Sequence, residues 1–218
     1  MHTIKDACVD IEFLVMGMIE NNVYIVSDGS STFVVDPTAH AELIIDALKG
    51  RKLDAIILTH HHYDHMGAAS ELRNATGAMV VASAIDAPYI EIQEMADRDM
   101  RKKKICPVDQ KIHDGDIIEI GSMGWKAIAT PGHTKGSICF YLSSAFGNHP
   151  EGHPVLISGD TLFCGTIGRT DFEGGSMDDM RKSLKKLAVL PDDTIVLPGH
   201  NDQTTIGAER QRVFAAFA

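Results

Sequence analysis

Asp54-Ala55-Ile56-Ile57-Leu58-Thr59-His60-His61-His62-Tyr63-Asp64-His65 is the stretch that decides how this chain reads. Its opening residues are nearly all apolar and too few for a helix, which marks a short strand buried on both faces. Four side chains able to bind a metal, His60, His62, Asp64 and His65, then arrive within six residues. A turn, unlike a regular helix or strand, can aim all four at one point. Three further candidates stand in the same setting, an apolar run and then a glycine: His133 in Thr130-Pro131-Gly132-His133, Asp160 in Ile157-Ser158-Gly159-Asp160, and His200 in Leu197-Pro198-Gly199-His200. The glycines suit tight turns at strand ends. One ion takes three or four protein ligands and keeps a position open, so these candidates exceed the need of a single ion. Two divalent ions would share them, with one carboxylate left to bridge. The donor set suits zinc first, and iron or manganese after it. Ions about 3.5–4 Å apart lower the pKa of a water between them and polarise the group it attacks, so the pattern points to a two-metal hydrolase.

The rest of the chain sets the frame. At 218 residues with 44% hydrophobic content it can build one good core, and a single domain over 1–218 is expected. No apolar run approaches the roughly 20 residues that span a bilayer. Met1 to Asp6 lacks the basic and apolar regions of a signal peptide. Cys8, Cys106, Cys139 and Cys164 are scattered, which suits free thiols in a reducing compartment. A cytoplasmic location with no membrane partner is the expectation. Lys and Arg number 20 against 30 Asp and Glu, a formal charge of −10. That argues against nucleic acid, whose binding depends on neutralising phosphates. The basic run Arg101–Lys104 reads as a solvated helix end. A small-molecule substrate is the expected partner, and the oligomeric state is left open.

Strands and helices alternate around the histidine run without a linker. Ile11–Met16, Asn22–Ser27 and Thr32–Asp36 read as successive strands, the last two joined by a hairpin turn at Asp28-Gly29-Ser30-Ser31. Helices are expected from His40 to Leu48, from His65 to Thr76 and from about Pro88 to Lys104, with a strand at Met79–Ala82. The second half offers strands at Ile117–Ile120, Trp125–Thr130, Ser137–Leu142 and Pro154–Ile157. A helix from Met177 to Leu190, a strand at Thr194–Leu197 and a last helix from Thr204 or Thr205 follow. Ser143–Gly152 reads as a surface loop. An α/β arrangement of two mixed β-sheets with helices on the outer faces satisfies both the hairpins and the crossover helices.

The run His60-x-His62-x-Asp64-His65 resembles the metal-binding motif of the metallo-β-lactamase superfamily, whose fold is an αβ/βα sandwich. The likeness extends from the early strands to Pro198-Gly199-His200, with every ligand position filled. On that resemblance His60, His62 and His133 would bind the first metal, Asp64, His65 and His200 the second, and Asp160 would bridge. The bridging Asp160 is unlike class B β-lactamases, and His62 is unlike the flavin-linked diiron proteins, which carry glutamate there. The nucleases of the family usually add arms for which an acidic chain of this length leaves little room. The glyoxalase II-like group, the hydroxyacylglutathione hydrolases and their short relatives, is most similar. The likeness lies in Pro131-Gly132-His133-Thr134-Lys135-Gly136-Ser137, Ser158-Gly159-Asp160-Thr161-Leu162-Phe163 and Ile167-Gly168-Arg169-Thr170-Asp171. The ending Pro198–His200 through Thr204–Arg210 looks like the short group. This resemblance implies thioester or ester hydrolysis by a bridging hydroxide, with Asp64 orienting the hydroxide and carrying its proton to the leaving group.

The departures bear on substrate. Full-length glyoxalase II carries a C-terminal helical domain that holds the glutathione carboxylates, whereas this chain ends 18 residues after His200. Where that family has a Lys-x-Tyr element, this chain reads Arg169-Thr170-Asp171. Arg169 can take the lysine's place beside a substrate carboxylate, but nothing supplies the tyrosine. Gly168-Arg169-Thr170-Asp171 is also similar to an element of the persulfide dioxygenases, which implies a competing possibility, a single iron on His60 or His62, His133 and Asp160. The superfamily resemblance also admits a lactonase, a phosphodiesterase or a binding protein with a relic site, the last opposed by the complete ligand set. His61 should point away from its neighbours and act structurally. Tyr63 is read as packing beneath the loop, with facing the pocket as the alternative. Thr134 and Ser137 serve either as hydrogen-bonding support or as turn residues, and Asp171 as a cap or as an anchor for Arg169. Cys164, four residues beyond Asp160, reads as a free structural thiol, with lining the entrance as the alternative. His2, His40, His113, His149 and His153 are read as surface histidines.

Overall fold

The computed structural model describes residues 1–92 and 106–218. In the first sheet the strands lie in chain order: β1 (His2–Ile4), β2 (Asp10–Met16), β3 (Asn21–Ser27), β4 (Thr32–Val35), β5 (Ala55–Ile57), β6 (Met79–Ser83) and β7 (Gln110–Ile112). Pairing is antiparallel as far as β4 and parallel beyond it. The second half supplies β8 (Ile117–Ile120), β9 (Met123–Ala129), β10 (Ile138–Leu142) and β11 (Val155–Gly159), the small hairpin β12 (Leu162–Phe163) and β13 (Thr166–Ile167), then β14 (Ile195–Pro198) and β15 (Thr204–Thr205). Its main sheet has the order β15-β14-β11-β10-β9-β8, with β11 and β14 parallel.

Alternation along the strands produces three apolar layers. Tyr24, Val26, Phe33, Val35 and Ile57 of the first sheet meet Trp125, Ala127, Phe140 and Ile157 of the second in a core between the sheets. Val23, Ile25, Val34, Ile56 and Val80 face the other way. They pack under α1 (Ala41–Ala47), α3 (Ala69–Thr76) and α4 (Ala87–Glu91), while the one-turn α2 (Tyr63–Met66) carries part of the histidine run. Cys139, Leu156 and Val196 form the outer face of the second sheet. They lie under α5 (Met177–Leu187) and a C-terminal helix of α6 (Ile206–Glu209), a π-helical turn and α7 (Ala215–Phe217). Helix α5 shows its causes plainly. Ser176 caps it by accepting from Asp179 N, Asp178 and Asp179 oppose the dipole at its start, Lys185 and Lys186 at its end, and Met180, Ser183, Leu184 and Leu187 form the buried stripe.

The expected two-sheet, four-layer arrangement is what forms. The expected His65–Thr76 helix is split into α2 and α3. At Gly67 the chain passes so close to Pro37-Thr38 that a Cβ would stand 2.3 Å from Thr38 O. Ala68 N then bonds Pro37 O rather than continuing the turn. The short strands β1, β7, β12, β13 and β15 carried no readable pattern. Of the expected Pro88–Lys104 helix, α4 is seen, and Arg101–Lys104 lie outside the described residues. All four cysteines are free, and Cys8, Cys106 and Cys139 are buried.

The hairpin turn at Asp28 also joins the sheets. Asp28 Oδ1 accepts from Ser30 N, Ser30 Oγ and Ser31 N, and its Oδ2 accepts from Ser122 N and Ser122 Oγ between β8 and β9. Partial burial opposes its ionisation, but the bonds from Ser122 and Ser31 outweigh it and hold the carboxyl well below the usual range. Asp28→Ala should cost about 1–2 kcal/mol in urea unfolding at neutral pH. A carboxyl whose folded pKa is depressed gives its full stabilisation above its unfolded pKa and loses it as pH falls. The gap between the two proteins should therefore narrow in acid, and a gap independent of pH would show that the carboxylate does not tie the turns.

Candidate metal centre

Parallel strands β4 and β5 end side by side, with Val35 paired to Ile57, which brings Asp36 against Thr59. Asp36 is buried and has the left-handed φ of 49°, uncommon for a residue with a side chain. Its carboxylate offsets that strain by accepting from Thr59 N (2.8 Å) and Thr59 Oγ1 (2.6 Å). His65 Nδ1 donates to the same carboxylate at 2.9 Å. With its proton committed to Asp36, the Thr59 hydroxyl accepts from His60 Nδ1 at 3.0 Å. Both rings then carry their proton on Nδ1 and turn Nε2 inward. His60 Nε2 is buried there with no hydrogen-bond partner.

Three further candidates, His133, Asp160 and His200, come from the far sheet. Ser176 N and Ser183 Oγ at α5 donate to Gly132 O and Pro131 O and so hold the His133 loop. His133 Nδ1 donates to Arg169 O (2.7 Å), which leaves Nε2 facing His62 Nδ1 at 2.8 Å. At the end of β14, Asn22 Nδ2 and Tyr24 OH both donate to Pro198 O, fixing the His200 loop against β3. His200 Nδ1 donates to Ile19 O at 3.1 Å. Gly199 is needed for close approach rather than for a left-handed turn. A Cβ there would stand 2.4 Å from Asp160 Oδ1 and 2.5 Å from His65 Cε1.

Two ligand trios result. His60, His62 and His133 offer one atom each within 4.8 Å of one another, as do Asp64, His65 and His200. Asp160 stands between the trios: its Oδ1 is 3.3 Å from His65 Nε2, and its Oδ2 is 3.5 Å from His133 Nε2 and 3.7 Å from His200 Nε2. Asp36 with His60 and His65 also meets the 4.8 Å limit. Its carboxylate, however, is occupied by Thr59 and by the outward nitrogen of His65, so it orients ligands. Inward-facing nitrogens backed by donors on their far side, a partnerless buried His60 Nε2 and a central carboxylate fit two divalent cations.

The charges differ between the trios. Burial drives His60 well below its ordinary pKa, and the His65 and His133 rings add to this; burial and His133 push His62 down to about 4. Burial likewise lowers His133 against the pull of Asp160. For His65 burial acts in the same direction, but Asp160, Asp36 and Asp64 outweigh it and raise its pKa well above the ordinary value. His200 is raised against burial by Asp64 and Asp160. Burial also opposes ionisation of Asp64, yet His200, His65 and Asn21 hold it ionised far below the carboxylate range.

All seven candidate ligands read from the sequence therefore converge. His61 does point away, its ring stacked on Tyr89 at 4.6 Å and its Nδ1 2.9 Å from Asp86 Oδ2. Tyr63 does not pack beneath the loop: as the first residue of α2 it is 65% exposed. Thr134 and Ser137 bond each other, and Thr134 Oγ1 also donates to Asp86. Asp171 is an anchor, receiving both Nε and Nη2 of Arg169, whose guanidinium lies 4.1 Å over the Phe172 ring. Phe172 in turn lies edge-on to His62 at 5.7 Å. His149 and His153 pair with Asp10 and Asp193 away from the centre. Asp36, Asn21 and Asp86 were not singled out in the sequence. Asp36 had a signal, an acid closing an apolar strand just before a proline, as did the Asn21-Asn22 pair heading β3.

The sequence pattern of the metallo-beta-lactamase superfamily matches residues 17–200. A protein of Aquifex aeolicus is 37% identical, covering 92% of this chain and 93% of its own length. The probable metallo-hydrolase YqgX of Bacillus subtilis is 30% identical, covering 90% and 92%. A hydroxyacylglutathione hydrolase of Cereibacter sphaeroides is 34% identical over 83% of this chain, which spans 62% of that protein. Among solved structures, the B3 metallo-beta-lactamase BLEG-1 superposes with a TM-score of 0.80 at 31% identity, covering 94% and 98% of the two chains. TTHA1623 in a di-iron-bound form gives 0.77 at 31%, covering 92% and 98%. ETHE1 from Myxococcus xanthus gives 0.73 at 26%, covering 93% and 82%.

The raised pKa of His65 has a measurable consequence. At neutral pH it holds a proton that must leave before the ring can ligate, so zinc binding to metal-free protein should release protons, and affinity should rise with pH until His65 titrates. Calorimetry in buffers of different ionisation enthalpy reads the number released. Binding heats independent of the buffer would show that neither His65 nor His200 holds an extra proton beforehand.

Proposed function

Because this chain belongs to the metallo-beta-lactamase superfamily, we propose that it is a dinuclear metal-dependent thioesterase of the hydroxyacylglutathione hydrolase type. The observation that carries the reading is the position of Asp160 between two complete ligand trios. Two divalent cations, zinc in this reading, would supply Lewis acidity and a water that ionises near neutral pH. The chain's own groups do the rest. Asp64, held ionised by His200, His65 and Asn21, accepts a hydrogen bond from the attacking water and orients it toward the carbonyl. The same bonds make Asp64 a poor proton carrier, so its orienting role is the one the geometry supports. Arg169, anchored by Asp171 over Phe172, stands at the His62 and His133 side, where it can meet a substrate carboxylate. Small thioesters or esters in the cytoplasm are the proposed substrates. Among the described residues no helix is long and apolar enough to cross a membrane.

The test is hydrolysis of S-lactoylglutathione by zinc-loaded protein. Asp160→Asn should reduce kcat by at least about 100-fold, beyond the 10–100-fold typical of losing a residue that only supports a ligand. Arg169→Ala should raise KM with little change in kcat. Equal turnover by wild type and Asp160→Asn would overturn the two-metal reading. Dioxygen uptake with a persulfide and a single bound iron, with no thioester turnover, would replace it with a persulfide dioxygenase.

A further inference from the structure

Asp86 belongs to neither ligand trio, yet it touches the loops that carry one of them. It precedes α4 with 1% of its surface exposed. Its Oδ2 accepts from His61 N at 3.0 Å and lies 2.9 Å from His61 Nδ1, both in the first histidine loop. The same oxygen accepts from Thr134 Oγ1 at 2.8 Å, in the His133 loop. Its other oxygen faces Gly136, where a Cβ would stand 2.2 Å away, so the second loop lies directly on the carboxylate. Asp86 is itself held, its N donating to Ser83 Oγ at the end of β6. The His61 ring is stacked on Tyr89, whose N bonds Asp86 O.

The sequence positions of these contacts matter. His61 sits between the ligands His60 and His62, and Thr134 follows the ligand His133. The two loops belong to opposite sheets. Their stems meet through Ile138 N donating to Thr59 O, but that bond does not reach the tips where the imidazoles are presented. One donor from each tip meets Oδ2, while Oδ1 is buried with no hydrogen-bond partner among the described residues, so a single charged oxygen carries the link. A neutral amide could keep one accepting oxygen at that place but would lose the charge that strengthens both bonds.

We propose that Asp86 is a positioning residue that locks the His60-His62 loop to the His133 loop, and so sets the affinity of the first metal position without touching the ion. The inference rests on the metal centre and not on the thioesterase reading. Cobalt(II) titration of metal-free protein, followed by visible absorption and by competition with a chelator, tests it. Asp86→Asn should weaken the ion held by the histidine trio about 10–100-fold and alter its absorption spectrum, with the ion at Asp64, His65 and His200 unaffected. Thr134→Val, which removes one donor and keeps the shape, should give a smaller loss at the same ion. Unchanged cobalt affinity in Asp86→Asn, or equal weakening at both positions, would overturn the inference. Hydrogen exchange of the metal-free proteins gives an arm that does not depend on metal uptake. The His61 and Thr134 amides should lose protection together in Asp86→Asn, and loss at one loop alone would refute the lock even if the wild type bound no cobalt.

Discussion

Several imidazoles must face one another across a few ångströms with their lone pairs inward, and the rest of the structure answers to that constraint. The His60 ring lies 4.1 Å from His65 and 4.9 Å from His133, centroid to centroid, and His62 lies 4.5 Å from His133. Left to themselves these rings would turn outward to hydrogen-bond with water. Burial and mutual repulsion make the inward arrangement unfavourable for protonated rings, which is why His60, His62 and His133 are all displaced downward. The arrangement persists because each ring is held from behind.

Those holds come from far away in the sequence. Asp36 reaches His65 across 29 residues, Arg169 O reaches His133 across 36, and Ile19 O reaches His200 across 181. Asn21 reaches Asp64 across 43. The layered fold makes this possible by ending β4, β5, β11 and β14 at a common edge, where loops from both sheets meet. Ligand identity is therefore a property of short loops, while ligand orientation is a property of the whole sandwich. A substitution in the core between the sheets would be felt at the centre through these tethers before it changed any ligand.

The same division explains what the sequence disclosed. The candidate ligands were legible because they cluster just after apolar runs, and because His60-x-His62-x-Asp64-His65 has few other uses. The principal strands were legible because sheets covered on both faces leave long apolar runs, as in β3, β5 and β11. The two-residue strands β12, β13 and β15 carry no period to read, and the break between α2 and α3 is imposed by a neighbour, Pro37-Thr38. Asp86 was silent for a similar reason. Nothing within Ser83-Ala84-Ile85-Asp86 indicates that its carboxylate will be enclosed by loops 25 and 48 residues away.

The tethers also bear on the proposal of two ions rather than one. A single ion on His60, His133 and Asp160 would leave Asp64, His65 and His200 without a ligand role. Yet the fold orients these three as carefully as the others, with Asp36 behind His65, Asn21 on Asp64 and a backbone carbonyl behind His200. His65 is fully buried and Asp64 largely so, and withdrawing such groups from water is costly even when they pair with each other. A site for one ion could dispense with that burial by placing apolar residues at Asp64 and His65. The chain keeps both, and holds Asp36 in a left-handed conformation behind His65, which supports the proposed two-ion reading over the one-ion alternative.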